Sequence, residues 1–175
     1  VLIPTTEFLD PAQFWIKNES GNDKEPLFNA LMNDFCGILQ EKCDNVVQKQ
    51  NMIVMNQACD SNIPFAQITI LNVKNSTTVE DIFSKAFFEY KENLDEDAVK
   101  RIKANWIKKY LSKLQTNNGT SLAIKAGLDS AEAVPDKYIL DYEKVMNATV
   151  DDFAEVFESF DFNNALKLYS TKTKK

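Results

Sequence analysis

Between Leu94 and Leu128 the chain repeats apolar residues at a spacing that a helix brings to one side. Ala98, Ile102, Trp106, Tyr110 and Leu114 recur every four residues, and Ile107 and Leu111 widen the stripe. Lys100, Arg101, Lys103, Lys108, Lys109 and Lys113 fill the other faces, the pattern of a surface helix with one buried face. Asp95 suits the N-cap, and Glu96 and Asp97 put negative charge in the first turn, where the helix dipole favours it. Asn117-Asn118-Gly119 interrupts the pattern, and Ser121 to Gly127 resumes it as a second helix. A one-sided helix this long requires an apolar layer to lie against.

The remaining segments supply that layer. Ala12, Phe14 and Ile16 alternate with Gln13, Trp15 and Lys17, which predicts a strand after a lead-in punctuated by Pro4 and Pro11. Asn18 to Asp23 reads as a loop, and Pro26 sits in the first turn of a helix. That helix carries Leu27, Phe28, Leu31, Phe35, Ile38 and Leu39 on a broad face and is expected to end near Lys42. Val46 to Ala58 and the β-branched run Phe65 to Val73 read as two strands of a hairpin across the turn at Cys59 to Pro64. Thr78 with Asp81 matches a capping box, followed by Val79, Ile82, Phe83, Ala86, Phe87 and Tyr90 at helical spacing. Beyond the paired helices, Tyr138, Ile139, Tyr142 and Val145 form a helix with Pro135 at its start. Thr149 to Asp152 caps a short helix with Phe153, Val156 and Phe157, and Ala165 to Tyr169 ends as a strand. The order β-α-β-β-α-α-α-α-α-β predicts an α+β, two-layer sandwich: a mixed or antiparallel sheet with helices on one face. One domain over residues 1–175 accommodates it.

Composition then removes whole classes of chemistry. The chain has no histidine, so it lacks the usual ligand of a catalytic zinc and the base of serine or cysteine triads. Its net charge is −6 and its cations are scattered along helix faces, which argues against nucleic acid as a partner. No apolar run of about 18 residues occurs, so no membrane span is expected. Cys36, Cys43 and Cys59 form no C-x-x-C pair, and Cys36 falls on an apolar helix stripe as a small buried hydrophobe. The N-x-S/T sequons at Asn18, Asn75, Asn118 and Asn147 would be glycan acceptors in a secreted eukaryotic protein, but in a chain rich in Asn, Ser and Thr chance matches are the preferred reading. The chain begins at Val1 without an initiator Met or a signal peptide, and is read as an excised domain or processed fragment of a longer one.

Three stretches resemble the non-catalytic domain type of the pitrilysin/insulinase family of zinc metallopeptidases. Cys36-Gly37-Ile38-Leu39-Gln40-Glu41-Lys42 stands where that family has a small-residue turn and then L-R-E-K. The hairpin and helix from Phe65 to Tyr90 follow in the family's order. The third runs from Leu94 to Phe160, where Asp95-Glu96-Asp97 opens the long helix and Asn147-Ala148-Thr149-Val150-Asp151-Asp152-Phe153 is similar to the family's N-x-V-T-x-E-D-V cap. The resemblance covers nearly the whole chain. It implies a chamber-forming domain that supports a peptide substrate, with zinc and its H-x-x-E-H ligands in a separate catalytic domain or subunit of the parent and no cofactor here. Active members place an Arg and a Tyr near L-R-E-K to hold the peptide and its tetrahedral intermediate. Those positions are Gln40 and Val47 in this sequence, so both donors are replaced. Gln40, Glu41, Lys42 and Val47 are therefore the candidate chamber residues, with a plain solvated helix end the preferred reading for Glu41 and Lys42.

Other candidates weaken on inspection. Asp95-Glu96-Asp97 and Asp151-Asp152 are acidic clusters, but both sit at helix starts, where carboxylates serve as caps. Trp15 and Trp106 read as core or sheet-face residues. The strand Phe65 to Val73 is either an edge that accepts an extended peptide or an internal strand. An inactive homologue, retained as an assembly subunit or peptide-binding module, is the alternative to a chamber domain of a working peptidase.

Overall fold

Alternation decides the sheet. In the computed structural model, residues 2–5, 11–46, 52–57, 65–73, 76–115, 117–129, 135–160 and 165–172 are described. The first two strands are β1 (Leu2–Thr5) and β2 (Ala12–Lys17). On β2, Ala12, Phe14 and Ile16 are buried, while Gln13, Trp15 and Lys17 turn to the opposite face. A 3-10 turn (Asn22–Lys24) leads into helix α1 (Glu25–Val46), then strands β3 (Ile53–Gln57) and β4 (Phe65–Leu71). Helices α2 (Ser76–Glu92), α3 (Glu96–Leu114), α4 (Asn117–Leu128), α5 (Lys137–Asn147) and α6 (Val150–Glu158) follow, and strand β5 (Leu166–Lys172) closes the chain.

The five strands order as β1-β5-β2-β4-β3. Three pairings are antiparallel and β1 joins β5 in parallel, so the sheet is mixed. Register places Ala12, Phe14 and Ile16 beside Ile70, Ile68 and Ala66, all of them on the helix-covered face. Phe83 of α2 stacks on Phe14 at 4.1 Å, and Phe35 of α1 meets Phe83, Phe87 and Tyr90 edge-on. Phe153, Val156 and Phe157 of α6 complete this core, with Phe157 4.9 Å from Phe87. Large aromatic side chains bury well over 100 Å² each, so this cluster supplies much of the apolar driving force.

Several boundaries differ from the sequence reading. Residues 2–5, taken as lead-in, form β1, whose four residues are too short for alternation to reveal a strand. Helix α1 runs past Lys42 to Val46 because Cys43 continues its buried face, and β3 starts at Ile53 rather than Val46. Helix α2 begins at Ser76, so Thr78 and Asp81 lie inside it instead of forming its capping box. Leu111 does not widen the buried stripe of α3; it is exposed, since at 3.6 residues per turn it falls on the side of the helix opposite the buried Ile102. The cap at Asp95 and the box at Thr149 are as expected: Asp95 accepts from the Ala98 amide at 2.9 Å, and Thr149 and Asp152 bond reciprocally. Asn72 takes a positive φ of 61° in the turn after β4, a conformation that Asn tolerates better than most residues.

Candidate functional site

The end of α1 carries the residues singled out from the sequence. Gln40 is half-buried, and its side-chain amide lies against the backbone of β3. Nε2 donates to the Met52 carbonyl at 2.8 Å and to Asp44 Oδ1 at 2.8 Å, while Oε1 accepts from the Val54 amide at 2.7 Å. A side-chain amide here does what a neighbouring strand's peptide group would do for the outer edge of β3. Glu41 beside it is exposed. Lys42 pairs with Glu89 of α2, and that contact, first through its hydrogen bond, holds the Glu89 carboxyl below the ordinary carboxylate range. Val47 lies outside the described residues. Gln40, Glu41 and Lys42 are thus brought to one end of α1, with only Glu41 fully open to solvent.

A second polar constellation was not singled out from the sequence. Asp34 lies on the apolar face of α1, its side chain 1% exposed. Arg101 of α3 donates from Nε at 3.2 Å to each oxygen and from Nη2 to Oδ2 at 3.0 Å. Asn105 donates to Oδ1 at 2.8 Å, and the Tyr90 hydroxyl of α2 donates to Oδ2 at 2.9 Å. Burial, followed by the nearby carboxylate, pushes the Tyr90 phenol well above its ordinary value; the bond to Asp34 raises Arg101. The carboxylate's lone pairs are occupied, so the group ties α1, α2 and α3 together and holds no proton-accepting site for a substrate. The available signal was a lone acid at Asp34 inside the apolar repeat Leu31, Phe35, Ile38.

The remaining chemistry is sparse. Desolvation pushes the Cys36 thiol up to about 12 and the Cys43 thiol up to about 11, far from a reactive thiolate near neutrality. Asp95 and Asp152 are helix caps, and hydrogen bonds from the backbone and hydroxyl of Thr149 lower the Asp152 carboxyl. Among the described residues no group of three His, Cys, Asp or Glu is placed to hold a metal, and no helix is long and apolar enough to cross a membrane. The indole N–H groups of Trp15 and Trp106 find no hydrogen-bond partner among the described residues. Strand β4 lies between β2 and β3, so it is internal and offers no edge to a peptide. Asn18 is buried and its carbonyl oxygen accepts from the Ser20 amide at 3.1 Å and hydroxyl at 2.6 Å, which commits that sequon's asparagine to the turn.

No protein-family model matches the sequence, and no curated protein matches it. Solved structures match in three dimensions. The inactive peptidase domain of a protein assigned as a zinc protease in Bordetella parapertussis superposes with a TM-score of 0.74 at 11% identity, over 98% of this chain and 97% of that one. Pitrilysin matches with a TM-score of 0.68 at 11% identity, over 98% of this chain and 19% of pitrilysin. The fold is that of pitrilysin-like peptidase domains. The periplasmic protease PqqL of Escherichia coli carries the same fold, with a TM-score of 0.67 at 9% identity, over 99% of this chain and 20% of PqqL. The chain therefore spans about a fifth of pitrilysin and of PqqL, and nearly all of the Bordetella domain. At this identity the likeness carries the fold; chemistry has to come from the residues present.

Proposed function

We propose that this chain is a non-catalytic, chamber-forming domain of a pitrilysin-like zinc metallopeptidase acting on peptides. In this reading residues 1–175 are one domain of a larger parent, and zinc with its histidine ligands resides in a separate catalytic domain or subunit. The observation that carries it is the pairing of a pitrilysin-type fold with a sequence that has no histidine. Gln40, Glu41 and Lys42 then form the wall at the end of α1, and Val47 is the next residue of the sequence after that helix. Gln40 contributes rigidity there: its amide is spent on Asp44 and on the backbone of β3, so no cationic donor faces a developing oxyanion.

The committed amide of Gln40 also favours a second reading, a catalytically inactive homologue kept as an assembly subunit or peptide-binding module. Two measurements test these, and the second separates them. The isolated chain is expected to bind no stoichiometric zinc by atomic absorption and to leave a quenched fluorogenic peptide uncleaved. The native parent is expected to be several-fold larger, to contain H-x-x-E-H, and to cleave that peptide until a chelator is added. Zinc and cleavage by the isolated chain sink both readings; a parent and obligate partner lacking H-x-x-E-H leave the second.

A further inference from the structure

Helix α4 is turned inside out. An amphipathic helix on a protein surface normally directs its large apolar residues inward. Here Gly119, Thr120, Ala123 and Gly127 lie on the side turned toward the protein, while Leu122, Ile124 and Leu128 face solvent. Leu122 and Leu128 are 58% and 51% exposed. On α3, which packs against α4, Leu111 is likewise exposed, at 53%. Scattered exposed leucines are ordinary, but a helix that presents all its described large apolar residues outward is not scatter.

Charge says what covers it. Between Glu96 and Asp129 there are seven basic and three acidic residues, in a chain whose net charge is −6, and of the seven Lys100, Arg101 and Lys109 are bonded to Asp97, Asp34 and Asn33. Lys108 and Lys125 are exposed beside the leucines, Lys125 within the outward arc of α4 and Lys108 one turn before Leu111. We propose that the α3–α4 surface docks an acidic protein surface with an apolar centre, contributed by a polypeptide segment outside this chain. An apolar core with a charged rim is the anatomy of a protein interface, and the cations select the partner's sign. A bilayer fits less well: no described aromatic side chain joins the outward patch. A second copy fits less well too. Its other apolar patch, formed by Ile53, Met55, Phe65 and Leu166 on the uncovered sheet face, is bordered there by Lys17, Gln57 and Gln67, and the Glu19 carboxylate beside it is already paired with Lys17 at 3.1 Å. The inference stands on exposure and charge; from the proposed function it takes only that residues 1–175 belong to a larger parent.

Zero-length carbodiimide cross-linking of the full-length native protein, read by peptide mass spectrometry, tests it. Lys108 and Lys125 are expected to join Asp or Glu residues from outside residues 1–175. The exposed-site substitutions Leu122→Ser and Leu128→Ser together are expected to lower that yield about tenfold, with unchanged circular dichroism. Three results overturn the proposal: no cross-link at either lysine, cross-links between two copies of this chain in an isotope-mixed sample, or protection of both lysines by phosphatidylserine vesicles alone.

Discussion

Arg101→Ala is expected to destabilise the protein far more than the exposure of Arg101 implies. Its side chain is 45% exposed, and an exposed ion pair contributes only about 0–1 kcal/mol once screening is counted. Its partner is different. Asp34 is 1% exposed, and three of the hydrogen-bond contacts to that carboxylate come from Arg101. Removing one member of a buried pair costs about 3–5 kcal/mol, because the other charge stays in a poor solvent for it. Tyr90 and Asn105 still donate to Asp34, and water can enter from the side that Arg101 leaves open. We therefore place the loss at about 2–3 kcal/mol. Asp34→Ala releases the guanidinium to water but strands the buried Tyr90 hydroxyl, a cost of about 1–3 kcal/mol.

Urea unfolding followed by tryptophan fluorescence reads both variants, since Trp106 follows Asn105 on α3. At a slope of about 2 kcal/mol per molar, the Arg101→Ala midpoint falls by about 1 M with the slope unchanged. The double variant is expected to be more stable than the sum of the single losses by at least about 1 kcal/mol, because the pair acts as one unit. Lys100→Ala is the control: its partner Asp97 is exposed, and no shift is expected. The reasoning fails if Arg101→Ala behaves like Lys100→Ala, or if the single losses simply add.

Three further outcomes follow from the same contacts. Thr149→Ala removes the acceptor for the Asp152 amide and is expected to cost about 1 kcal/mol by thermal denaturation. The Asp152 carboxyl is held below its ordinary 3.8, so its contribution is complete above that pH and is lost as acid carries the group through its lower folded value; the gap between wild type and Thr149→Ala should narrow there, and a gap that stays constant into acid would refute the assignment. Cys36 and Cys43 are expected to resist iodoacetamide at pH 8 until the chain unfolds, as peptide mass spectrometry can establish; native labelling at the rate of free cysteine would contradict their burial. Gln40→Ala unpins the outer edge of β3 and is expected to speed amide exchange at Val54 while leaving β4 protected, and uniform exchange rates in the two strands would argue against the latch.

The fold was legible because its determinants are periodic. Phe14, Ile68 and Phe83 each sit in a repeat that names a secondary structure and a buried side, and the core follows once those sides are laid together. Caps at Asp95 and Thr149 were equally readable, since a cap is satisfied within one turn of its own residue. What escaped has its cause elsewhere in the chain. Asp34 meets Tyr90 and Arg101 across separations of 56 and 67 residues, and no local pattern announces such a partner. The α4 leucines escaped for the opposite reason: an apolar repeat fixes that a helix has a face, but says nothing about whether the protein itself or another molecule covers it.

Gln40 joins both lessons. Its position after Leu39 marked it as a chamber residue, and a glutamine there has donors to offer a peptide. Folding gives those donors an acceptor first. The Met52 carbonyl and Val54 amide face the outer edge of β3, and leaving such backbone groups unpaired in a half-buried edge is costly. An arginine at the same position would set its charge a few ångströms further out and keep five donors, more than one edge carbonyl and Asp44 can occupy. Under the proposed function, Gln in place of Arg would do more than remove a charge: it would set a side chain that completes the sheet where one able to reach outward would stand, and that is the physical basis for proposing a supporting role for this end of α1.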